Sequence, residues 1–135
     1  MHVSPQKFRE IVLQILFAMN GKMSTEKDIL NLLQGEYTYP KETLNLALQR
    51  AKAVETHQEE IDEILQKAAS NYEFERIQNV EKNVLRLALY ELLFEKEIPP
   101  KVAIAEGLRL SKKFSSPESL TFVNAILDAI YKERL

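Results

Sequence analysis

From Val84 to Phe94 the chain reads VLRLALYELLF, a helical stretch with apolar residues on almost every side. A helix that is hydrophobic all round has to be covered all round. This segment therefore belongs in the middle of a bundle, and the rest of the chain has to supply the surrounding helices. Its residue usage suits that task. Three glycines are very few for 135 residues, and the five prolines fall where helices would begin or connections turn. Strand-like alternation bounded by turns is missing and helical spacing recurs throughout, which predicts an all-α protein of about seven helices.

The boundaries follow from local signals. A first helix starts after Ser4 with Pro5 and ends at Asn20-Gly21. Its apolar residues Phe8, Ile11, Val12, Ile15, Leu16 and Met19 keep the i, i+3, i+4, i+7 spacing without a gap. A short helix is expected from about Thr25 to Gln34, with Thr25 and Asp28 at cap spacing and Gly35 as its stop. Another begins near Pro40 and carries Leu44, Ala47, Leu48 and Ala51. Thr56 and Glu59 have the spacing of a capping box opening the next, with Ile61, Ile64, Leu65 and Ala68 as its stripe. The same break reads equally well as an irregularity within one long helix. The apolar helix is expected over roughly Glu75 to Phe94.

Pro99-Pro100 cannot lie inside a helix, because each ring removes an amide donor and restricts the residue before it. A helix from about Lys101 to Lys113 follows. Ser116-Pro117 then opens the last one, a capping hydroxyl followed by a proline tolerated in the first turn. It is predicted to reach about Glu133 and to bury Leu120, Val123, Ile126, Leu127 and Ile130. No repeat, linker or low-complexity segment interrupts the pattern, so residues 1–135 read as one domain.

Several classes of function fall away. With no cysteine, neither disulfides nor thiolate metal sites can form. His2 and His57 make no ligand spacing with acidic residues, so no metal or other cofactor is expected. No apolar run approaches a bilayer span, and residues 1–20 lack a signal-peptide layout; a soluble cytoplasmic protein is the expectation. A Gly-rich phosphate loop and a nucleophile elbow are both missing. Glu59, Glu60 and Glu63 read as a solvated helix face, so the chain is not expected to be an enzyme. Its net charge is −2. Phosphate neutralisation supplies most non-specific affinity for nucleic acid, so RNA binding here would need a local patch or a basic partner.

Two faces stand out. At about 100° per residue, Leu13 and Phe17 fall nearly opposite the core stripe of the first helix. Gln6, Glu10 and Gln14 lie beside them, with Lys7 and Arg9 on the flanks. An aromatic and an aliphatic among donors and cations suit a protein partner or a splayed RNA base, and they equally suit a helix covered on both sides. In the last helix Phe122 sits at the margin of the core stripe, on the side of Glu118 and Ala125, where packing is the ordinary explanation. Glu118 in a first turn is also ordinary, since a carboxylate favours the positive end of a helix. Lys82 and Arg86 lie at i, i+4 on the narrow polar side of the apolar helix. Arg86 either extends a basic patch or snorkels along a packed stem.

The wording of Ile98 to Asp128, IPPKVAIAEGLRLSKKFSSPESLTFVNAILD, resembles the NusB family of bacterial transcription antitermination factors, as does Val80 to Leu92, VEKNVLRLALYEL. Arg9-Glu10 and Gln14 match an Arg-Glu and a glutamine of the family's first helix. Phe17 stands where tyrosine is usual, and Pro5 and Gln6 replace preceding arginines of which Lys7 is the remnant. Ala105 and Ala125 replace a usual asparagine and glycine. The resemblance implies an all-α NusB-like fold of two small helical bundles. It implies binding of boxA RNA together with the ribosomal protein NusE, within an RNA polymerase antitermination complex that reads through terminators, chiefly in ribosomal RNA operons. On its terms Lys7, Arg9, Gln14, Phe17, Glu118, Ser119 and Phe122 would face RNA, and Arg86 joins them if it extends a basic patch. Glu81 would face the protein partner, as Leu13 and Phe17 would from their place opposite the core stripe. Two other readings remain open at this level. One is a free-standing RNA-targeting module related to the helical domain of ribosomal RNA cytosine methyltransferases. The other is a self-associating helical protein, a homodimer with Leu13 and Phe17 buried against a second copy.

Overall fold

Ser4 lies outside the first helix in an extended conformation (φ −64°, ψ 157°), and its hydroxyl accepts a hydrogen bond from the Lys7 amide at 3.1 Å. Pro5 takes the first helical position, where a missing amide hydrogen costs nothing. Helix α1 thus runs Pro5–Met19, and Asn20 closes it by donating its side-chain amide to the Leu16 carbonyl at 2.9 Å. The computed structural model describes residues 3–20, 39–69 and 76–134. All six helices among them match predicted ones: α1, α2 (Lys41–Thr56), α3 (Gln58–Ala68), α4 (Asn79–Phe94), α5 (Pro100–Phe114) and α6 (Pro117–Arg134). The helix expected over Thr25 to Gln34 lies outside the described residues. No described helix is long and apolar enough to cross a membrane.

The chain divides into two compact units, Met1–Glu55 and Thr56–Leu135. In the first, α1 buries Ile11, Val12, Ile15 and Leu16, and α2 buries Leu44, Ala47, Leu48, Ala51 and Val54. The Arg50 guanidinium lies 5.8 Å from the centre of the Phe8 ring.

The second unit is built around α4. Every residue from Asn83 to Leu92 is buried, and α3, α5 and α6 all pack against this helix. The all-round apolar pattern is satisfied by neighbours on three sides. Gly107 of α5 sits where three helices meet. A Cβ there would stand 3.0 Å from the Ala88 Cβ of α4 and 3.1 Å from the Leu127 Cδ1 of α6. Glycine thus sets how closely α5 can approach.

Three boundaries differ from expectation. Thr56 ends α2 instead of capping α3, and the cap position of α3 holds His57, which makes no side-chain cap. Its ring stacks on Phe94 at 4.1 Å, so an aromatic contact to α4 takes the place of the capping box. Helix α4 starts at Asn79, after Gln78 in an extended conformation (φ −64°, ψ 149°), later than the expected Glu75. Pro99 is extended and Pro117 begins α6 as read, but Pro100, expected outside the helix, is the first residue of α5, where the missing amide hydrogen costs nothing.

Candidate RNA and protein interface

In α1 the register that buries the Ile11–Leu16 stripe leaves Gln14 and Phe17 half-buried. Lys7 is partly exposed, with its ammonium 3.9 Å from Glu10 Oε1 and 5.8 Å from the centre of the Tyr39 ring. Leu13 was expected on the outside and has no exposed surface. Arg9 retains only 8% of its surface and Glu10 is buried beside it. Register arithmetic gives the direction of a side chain but not what lies over it, and α1 is covered on both sides. The face that remains is Lys7, Gln14 and Phe17. Tyr39 and Arg50, which sequence reasoning passed over, stand against its start. No spacing rule connects them to α1, because the pairing arises only when the chain folds back.

At the start of α6, Glu118 is exposed and Phe122 is half-buried. Ser119 was expected at the surface and keeps only 4% of its area. Its hydroxyl lies 2.8 Å from that of Ser115 and 3.2 Å from that of Ser116, so it ties the connection to the helix. A small side chain in a first turn is readily overgrown by the preceding loop, and that happens here.

On α4, Glu81 and Lys82 are half-buried. Arg86 is buried, and its guanidinium forms a two-pronged ion pair with Asp62 of α3, Nε to Oδ1 and Nη2 to Oδ2, both at 2.9 Å. The basic-patch reading of Arg86 is thereby replaced by a clamp between two helices. Asp62 lies at the margin of the Ile61, Ile64 and Leu65 stripe of α3, half-buried, and a carboxylate beside an apolar stripe was the available signal. Among the described residues no group of three or more histidines and carboxylates is arranged to hold a metal.

The candidate residues that remain accessible lie on separate helices, Lys7, Gln14 and Phe17 on α1, Glu81 on α4, and Glu118 and Phe122 on α6. The model of the NusB family matches residues 6–132. The chain belongs to the NusB family. Its curated relatives include the transcription antitermination protein NusB of Desulfitobacterium hafniense, 39% identical over 124 residues, which are 90% of this chain and 84% of that one. NusB of Chlamydia pneumoniae is 38% identical over 128 residues, 95% of this chain and 80% of its own. Among solved structures, T. maritima NusB superimposes with a TM-score of 0.81 at 32% identity, over 98% of this chain and 94% of its own. A complex of the antitermination factors NusB and NusE with double-stranded RNA gives 0.80 at 26% identity, over 95% and 96%. The fold is therefore all-α and NusB-like.

Proposed function

We propose that this chain is a transcription antitermination factor that binds the boxA segment of nascent RNA together with NusE. The assembly helps RNA polymerase read through terminators, chiefly in ribosomal RNA operons. The observation that carries this reading is the family match across residues 6–132, supported by the structural likeness to a NusB–NusE–RNA complex. The work is assembly in the cytoplasm, with no covalent chemistry, and residues 1–135 act as one functional domain. Lys7, Gln14 and Phe17 of α1 and Glu118 and Phe122 of α6 are the proposed RNA contacts. Lys7 would hold a phosphate, the two aromatic rings would stack on bases, and Glu118 would accept from a base edge. Arg9 is largely covered and is not among the proposed contacts. Glu81 is assigned to NusE. Self-association through Leu13 and Phe17 loses its basis, because Leu13 is already buried.

The test is co-purification with NusE, followed by titration of labelled boxA and scrambled RNA. Preferential binding of boxA by the pair is expected. Failure of the two proteins to associate, or equal affinity for both RNAs, would overturn the proposal.

A further inference from the structure

Helix α5 presents a solvent arc of a single charge sign. At 100° per residue, Lys101, Lys112, Ala105, Arg109, Val102 and Lys113 fall in that order within one third of the helix circumference. Arg109 is half-buried and the other five are exposed. The opposite arc is the core side, with Ala103, Gly107, Leu110 and Ser111 buried. No exposed carboxylate interrupts the outward arc. The helix's single acidic residue, Glu106, lies at its edge, is buried, and accepts from Arg109 at 2.8 and 3.2 Å. Acidic residues outnumber basic ones in the whole chain, 20 to 18, so four cations against one carboxylate on this helix form a concentrated exception.

Lys112 and Lys113 occupy the last turn, where cations also complement the helix dipole. That accounts for two of them. It does not account for Lys101 in the first turn, where the dipole disfavours a positive charge, nor for the lack of carboxylates between.

The arc's composition selects its partner. Its apolar content is Ala105 and Val102, the latter 40% exposed. A protein interface of standard size buries about 800 Å² on each side around an apolar core, and these two side chains supply a small part of that. A polyanion needs no apolar core, because its affinity comes from counterions released as phosphates are neutralised. We infer that the outward arc of α5 is a phosphate-tracking surface for RNA, with Lys101, Lys112 and Lys113 as backbone contacts spread over about 18 Å of helix. Arg109 is paired with Glu106 and adds no net charge, so the three lysines carry the positive charge of the arc. The arc carries no aromatic ring, so it positions RNA without reading its sequence.

The inference rests on the RNA-binding reading above, and the experiment separates the two. The variant K101Q/K112Q/K113Q removes charge while keeping side-chain length and helix propensity, and K101R/K112R/K113R keeps the charge. Both are compared with the unaltered chain in the presence of NusE, on boxA and on scrambled RNA, across a salt series. Circular dichroism melts confirm folding. At about 0.7 per phosphate on a single strand, the glutamine variant should flatten the slope of log K against log salt by about two. The loss should be equal on both RNAs, and the arginine variant should keep the slope. An unchanged slope in the glutamine variant, with boxA still bound, overturns the α5 inference alone. An unchanged slope with NusE association lost also overturns it and assigns the arc to protein. No RNA binding by the unaltered chain with NusE overturns the underlying function as well.

Discussion

At the scale of single residues, charge and burial compete for the same side chains. Arg86 is a cation on a helix that the RNA reading would like to use, yet both prongs of its guanidinium face Asp62. Removing one partner of a buried pair costs about 3–5 kcal/mol, and an exposed pair about 0–1. The side chains here are 10% and 18% exposed, so Arg86→Ala should destabilise the fold by about 2–3 kcal/mol. Chemical denaturation checks that value. RNA affinity and its salt slope should stay unchanged in the folded protein. Phe122→Ala is expected to do the reverse, losing roughly 1–3 kcal/mol of stacking on RNA with little change in salt slope. A lower unfolding midpoint with RNA affinity intact would instead make Phe122 a packing residue. Sequence reasoning placed Arg86 on the narrow polar side of its helix, and the structure keeps it there. What the register could not supply was the occupant of that side, Asp62. The same limit explains Leu13, whose direction was legible and whose burial was not, and Ser119, which the connection just before it covers.

At the scale of elements, the tightest constraint is the crossing at Gly107. Replacing glycine by alanine inside a helix ordinarily stabilises it by about 0.8–1 kcal/mol. Here the added methyl meets Leu127, which can turn aside, and the Ala88 Cβ, which moves only with its backbone. Helices α4 and α5 must therefore separate, and overpacking of this kind typically costs 1–3 kcal/mol. Gly107→Ala is expected to lose about 1 kcal/mol net, read as a fall of a few degrees in the unfolding midpoint. A rise in midpoint would mean that α5 has slack against α4. Local signals of fixed conformation were the most legible part of this fold: Pro5 and Pro117 open helices as read, and Pro100 misses by one residue, because a proline ring restricts the backbone whatever surrounds it. The capping box at Thr56 failed for the opposite reason. A cap is worth about 1 kcal/mol, and the stacking of His57 on Phe94 and the covering of α4 act through contacts that local spacing does not contain. Gly107 itself gave no signal, since a close approach is known only when both helices are in place.

At the scale of the whole molecule, a chain with a net charge of −2 that is to bind RNA, as proposed, must either concentrate its cations or borrow them. The α5 arc is the concentrated part, and the phosphate contacts inferred for it would carry no sequence information. The N-terminal face is meagre by comparison. Of the cations near the start of α1, Lys7 is partly exposed and already close to Glu10 and Tyr39, while Arg9 is mostly covered. A basic ribosomal protein bound alongside would raise the local positive charge without any change in this chain. It would also offer the RNA a second surface, converting part of the binding into an intramolecular step. The expected outcome is weak boxA binding by the chain alone and clearly tighter binding with NusE, measured by titrating labelled RNA at fixed salt. Because the added affinity is largely electrostatic, the slope of log K against log salt should also be steeper for the pair. Equal affinity with and without NusE would mean that this chain's own cations suffice, and the sharing of charge would be wrong. Tighter binding at an unchanged slope would place the partner's contribution in base contacts, leaving the phosphates to this chain.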